Sequence, residues 1–132
     1  MIINNYDISE QANKLAKFEY SITFDDINRL VLENDNNQII ICNNVIDNNI
    51  EMSIRFKEIN KSFDIPWIYL IDTGKKLDKL LKNEIVETLI SYISDNYQKI
   101  SDVAFCESKI SQVSKYISDN LADMINDEIN AL

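Results

Sequence analysis

Ile50-Glu51-Met52-Ser53-Ile54-Arg55-Phe56-Lys57 sets four apolar side chains at alternate positions with four polar ones between them. Successive side chains of a strand project to opposite sides, so this period predicts a strand with one buried and one wet face. Strands of that kind belong to antiparallel sheets. Upstream, Asp47-Asn48-Asn49 reads as a turn, Gln38 to Cys42 as a strongly apolar central strand, and Asn34-Asp35-Asn36-Asn37 as another turn. In Ile27 to Glu33, Ile27, Leu30 and Val31 suit a helical turn, whereas Leu30 and Leu32 suit a strand; we read a strand. Phe18, Tyr20, Ile22 and Phe24 alternate with Glu19, Ser21 and Thr23 and predict a half-buried strand. Before it, Asp7 and Glu10 resemble a capping box leading into Ile8, Ala12, Leu15 and Ala16, a short helix over about 8–17.

Downstream, Ile65-Pro66-Trp67-Ile68-Tyr69-Leu70-Ile71-Asp72 is apolar on both parities and predicts a strand covered on both faces, with Pro66 near its start and Gly74 ending it. Trp67 and Tyr69 would be aromatic anchors if that strand lay at an edge; core is the favoured reading for Trp67. From Leu77 the period changes. Leu77, Leu80, Leu81, Ile85, Leu89, Tyr92 and Ile93 form one helical stripe, and Ile110, Val113, Ile117, Leu121, Met124 and Ile125 form another. The expected fold is a single α+β domain over 1–132: a short N-terminal helix, an antiparallel meander of four or five strands, and two long C-terminal helices, joined near 100–108, packed on the sheet.

Composition narrows the chemistry. Histidine is absent, glycine and proline occur once each, and 22 acidic residues face 13 basic ones, a formal charge of −9. Without imidazole there is no Ser-His-Asp or Cys-His relay, and one glycine excludes the glycine-rich phosphate loops. Carboxylate chemistry is left to Asp25-Asp26, Asp35, Asp64 and Asp72, which no spacing draws into a dyad. Cys42 and Cys106 lie 64 positions apart and offer poor zinc ligation; Cys42, following Ile39-Ile40-Ile41, reads as a buried structural thiol. No catalysis, cofactor or metal is therefore expected. No apolar run nears the roughly 20 residues that cross a bilayer, and the first residues lack a leader pattern, so a soluble cytoplasmic protein is expected. Ile and Asn supply 40 of 132 residues, a bias we attribute to coding composition.

Charge pattern supplies the site candidates. Lys75, Lys76, Lys79 and Lys82, beside Asp72 and Asp78, read as a solvated face with local ion pairs, or as an anionic contact site. The acidic balance argues against direct nucleic-acid binding. Asp119, Asp123 and Asp127 recur at i, i+4 and i+8 on a helix flank roughly opposite Ile117, Leu121 and Met124, widened by Asn126 and Asn130. Such a stripe is either solvated surface or a docking face for a basic groove.

In size, acidity and α+β layout the whole chain resembles the bacterial immunity proteins of contact-dependent and other polymorphic toxin systems. That resemblance implies a non-enzymatic inhibitor that occludes a cognate protein toxin, such as a nuclease with a basic groove. It also implies that Asp119, Asp123 and Asp127, or the region of Asp25, Asp26, Glu33 and Asp35, would face the toxin. Type III secretion chaperones are similar in length, acidity and mixed content, though they place sheet between their later helices. A phage-encoded inhibitor of a nuclease defence system is the third expectation, with an equally basic target.

Overall fold

A computed structural model describes residues 1–3 and 6–131. Its centre is the expected meander: β3 (Ser21–Asp25), β4 (Arg29–Glu33), β5 (Asn37–Asn44), β6 (Asn49–Phe56) and β7 (Lys61–Asp64) pair antiparallel in sequence order. At the amino end β1 (Ile2–Ile3) pairs with β2 (Tyr6–Asp7), followed by α1 (Ser9–Ala12) and a 3-10 helix, Asn13–Phe18. The remaining helices are α2 (Ile65–Thr73), α3 (Lys82–Asp95), α4 (Tyr97–Ile100), α5 (Val103–Ser111) and α6 (Val113–Ala131). The domain is α+β, and no helix among the described residues is long and apolar enough to cross a membrane.

Register explains the layering. Leu30 pairs with Ile41 and Leu32 with Ile39; Ile39 pairs in turn with Ile54, and Ile54 with Phe63. These side chains share one face, where they are buried with Val86, Leu89, Ile90 and Ile93 of α3 and Ile65 and Ile68 of α2. The other face carries Gln38, Ile40, Cys42, Glu51, Ser53 and Arg55, none of them fully buried, and is the less covered of the two. Each fully buried aliphatic side chain stabilises the fold by about 1.5–3 kcal/mol relative to exposure.

Several expectations are corrected. Ile65–Asp72 is helix, not strand. Asp64 has extended backbone (φ −76, ψ 116) and accepts the Trp67 N–H at 2.9 Å as N-cap, Pro66 lies in the first turn, and Gly74 (φ +73) closes α2 with its N–H on the Leu70 carbonyl. An apolar run on both parities fits a buried helix as well as a buried strand; here nine residues between N-cap and glycine favour the helix. The fifth strand is Lys61–Asp64 instead, and Trp67 is half-buried rather than core.

At the amino end the helix is split. Asp7 accepts the Ser9 N–H at 2.9 Å while Ile8 takes the cap position, and the chain tightens to 3-10 geometry after Ala12. Phe18 ends that turn rather than starting a strand. In β3 the register shifts between Ile22 and Phe24, so Thr23 is a bulge residue and Ile22 and Phe24 are about half exposed. Cys42, on the uncovered parity of β5, is half-buried, whereas Cys106 is buried. The 100–108 connection is largely helical, and the second stripe divides between α5 and α6, where Leu121 and Ile125 are exposed.

Candidate functional site

An apolar groove lies where α6 crosses α2. Asp64 and Pro66 start α2 so that Trp67 and Leu70 look outward from its exposed side, and the left-handed Gly74 turns the chain back so that Lys75, Lys76 and Leu77 form a second wall. Tyr116 and Met124 of α6 supply the third wall. Together they bound a groove of about 330 Å³, within the range of small ligand and anchor-residue pockets. Trp67 meets Tyr116 edge to face, ring centroids 6.2 Å apart at 72°. Asp127 and Glu128 line the mouth on the α6 side, and Lys76 Nζ reaches Asp127 at 3.8 Å across it.

α6 itself is bound loosely to the body: none of its described side chains is buried. Along its acidic flank, Asp119 pairs with Lys115 at 3.0 Å, Asp123 is exposed, and Asp127 faces Lys76. Both ion pairs are exposed, of the kind worth about 0–1 kcal/mol, so a partner's cations can replace them at little cost.

The other four acidic candidates stand apart from these three. Asp25 ends β3 and receives the Met1 ammonium, and Asp26 accepts the Asn28 N–H at 2.9 Å in the β3–β4 turn. Glu33 ends β4, about 10 Å from the level of Asp25 by strand rise. There the Gln38 amide, and after it Lys57 at 3.3 Å, hold its carboxyl below the usual range. Asp35 is exposed in the β4–β5 turn. The acidic candidates thus fall into three groups.

A second, smaller cleft of about 230 Å³ sits at the sheet among Ile40, Cys42, Glu51, Met52, Ser53 and Asp64. Burial raises the Cys42 thiol above its ordinary value, opposed by Arg29, and burial likewise raises Asp64, which is already engaged in capping α2. Burial pushes Cys106 up to about 12, and its Sγ donates to the Ile100 carbonyl. A thiol is nucleophilic as thiolate, so these shifts work against covalent chemistry. No group of three or more metal-ligating side chains gathers among the described residues.

Leu70, Leu77, Tyr116, Met124 and Glu128 escape a sequence reading that takes 65–72 for a strand. The signal that finds them is the pair Asp64 and Pro66, a helix start, with Gly74 ten positions after Asp64. Lys76, expected as part of a solvated face or an anionic contact site, lines the groove. Comparison with protein-family models, curated proteins and solved structures finds no match to this chain.

Proposed function

We propose that the protein acts by binding, as a non-enzymatic acidic inhibitor that occludes a basic site on a protein partner, in the manner of the immunity proteins it resembles. The observation that supports this most directly is α6: a loosely held helix with carboxylates at Asp119, Asp123, Asp127 and Glu128, running beside an aromatic-lined groove. Buried aromatic anchors with a charged rim are the usual composition of a binding hot spot. The four carboxylates against the single Lys115 suit a basic surface such as the nucleic-acid groove of a nuclease toxin, met in the cytoplasm.

An immobilised, tagged protein is used to capture partners at low and high salt, and the captured protein is then assayed with the inhibitor titrated against it. We expect one basic protein whose activity is abolished at one-to-one stoichiometry. Reversal of Asp119, Asp123 and Asp127 to Lys should slow association by roughly tenfold or more at low ionic strength, and the difference should shrink as salt screens the charges. Unchanged association would remove α6 as the contact. Product turnover by the purified protein alone would overturn the non-enzymatic reading.

A further inference from the structure

The sheet face turned away from α2 and α3 carries a charge pattern that the inhibitor reading does not use. Register lays its central side chains in three rows: Arg29, Cys42 and Glu51; Val31, Ile40 and Ser53; Glu33, Gln38 and Arg55. Arg29 and Glu51 are exposed, and apart from Val31 the others are partly so. Four charges thus stand at the corners, Arg29 and Glu33 on β4, Glu51 and Arg55 on β6, alternating in sign around an uncharged β5. They sum to zero in a chain whose formal charge is −9, so this face offers a strongly basic partner no field to follow. Three of the four have no ion-pair partner among the described residues. Arg29 lies over the Phe24 ring at 5.7 Å, Glu51 accepts the Asn44 amide at 3.2 Å, and Arg55 donates to Gln38 and Asn60. Within one chain Arg29 and Glu51 cannot meet, because two strand spacings of about 4.8 Å each separate them.

A second copy supplies the missing opposite charges. About a two-fold axis lying along β5, β4 of one copy faces β6 of the other. Arg29 then meets Glu51 and Glu33 meets Arg55, each pair occurring twice, across the roughly 10 Å between packed sheet faces, which two long side chains span. Aligned sheets cross within about 30°, a deviation those side chains absorb. The residues that meet themselves on the axis are Gln38, Ile40, Cys42 and Asn44, none of them charged. Val31 falls over Ser53, and at the margin the half-exposed Phe24 falls over Asp64, whose carboxylate is turned to the Trp67 N–H. A two-fold across the strands would match the same charges but set Asp64 against Asp64. We infer that the protein forms a homodimer by stacking this sheet face on its own copy about an axis along β5. At about 4.8 Å by 3.4 Å per residue the five strands offer roughly 500 Å² per copy, so the pair covers roughly 1,000 Å², the lower end of specific interfaces, and exchanges readily with monomer. The inference does not rest on the inhibitor reading, because α6 contributes no residue to this face.

Sedimentation equilibrium of the purified chain tests it without any partner. We expect the mass to rise from 15.4 kDa toward twice that value between about 10 µM and about 1 mM. Arg29→Glu and Glu51→Arg, both at exposed positions without ion pairs, should each weaken the dimer by at least roughly tenfold in dissociation constant, with unchanged circular dichroism. Mixed one to one, the two variants should associate again, to within roughly threefold of the unsubstituted chain. In the mixed pair the two substituted positions face each other, and the native Arg29–Glu51 contact is kept at the second site. An effect confined to one chain could not be rescued by mixing. A 15.4 kDa species persisting to about 1 mM, a dimer indifferent to both substitutions, or a mixture no tighter than the separate variants would overturn the proposal.

Discussion

Asp72 and Asp64 lie at the two ends of α2 and respond to acid in opposite directions. Burial of Asp72 opposes its ionisation, but the Tyr92 hydroxyl at 2.8 Å, Lys99 at 3.2 Å and Lys109 at 3.9 Å outweigh it and hold the carboxyl below its ordinary value. Its contribution is present above the unfolded value of about 3.9 and is lost as pH falls through the lower folded value. Asp72→Asn should therefore cost about 1–2 kcal/mol at neutral pH, by the usual worth of hydrogen bonds to a charged group, and much less near pH 2. Urea melts at both pH values check this, and a difference independent of pH would refute it. Asp64 is raised, chiefly by burial, so its contribution is fullest in acid, below the unfolded value, and declines as pH rises through the folded value. The asparagines attributed to coding bias include one with a defined structural task. Asn34 donates to the Phe18 carbonyl and the Tyr97 hydroxyl and accepts the N–H groups of Asn36 and Asn37, which ties the β4–β5 turn to α4. Tyr97 donates on to Tyr20, and Tyr20 to the fully buried Asn37. No sequence pattern marks such a network, because its hydrogen-bonded partners lie up to 77 residues apart.

The strands with one wet face were legible because burial writes their period directly: Ile50, Met52, Ile54 and Phe56 are all buried, and Glu51, Ser53, Arg55 and Lys57 are not. β3 was legible as a strand but not in its burial. Its bulge at Thr23 breaks the parity, and the same bulge twists this edge away from pairing with another chain. α2 was illegible by period, since a helix apolar nearly all round leaves no stripe, and with it went half of the groove. Its ends carry the information instead. Gly74 adopts φ +73, and a Cβ built there would meet nothing within 4 Å, so the cost of a side chain is backbone strain alone. Gly74→Ala should lower stability by about 1 kcal/mol without changing the groove. Thermal unfolding measures the loss, and Trp67 emission, from the sole tryptophan, reports the groove; an altered emission spectrum would contradict the assignment.

For the molecule as a whole, one core joins the sheet face to α2, α3, α4 and α5 and to the amino-terminal segment, while none of the described side chains of α6 is buried. Local stability should follow that division. In hydrogen exchange, amides of β5 and β6 should be the slowest and those of α6 after Asn120 the fastest of the long helices. Comparable protection in α6 and α3 would show that α6 is held more firmly than its contacts indicate. Of the acidic candidates, spacing marked Asp119, Asp123 and Asp127 as one helix flank, whereas the separation of the other four depends on the meander, which sets Asp25 and Glu33 at opposite ends of paired strands. A last consequence concerns how such a chain tolerates change in length. Asp64 is both the last residue of β7 and the N-cap of α2, so sheet and helix are joined with no loop between them. A residue inserted after Asp64 has no slack in which to be absorbed: it rotates all of α2 by about 100° relative to the sheet and carries Trp67 out of the groove. The turns at Asp47 and Asn60 can lengthen with little effect. Relatives of this protein should therefore vary in length at the hairpins and keep one spacing from Phe63 to Gly74.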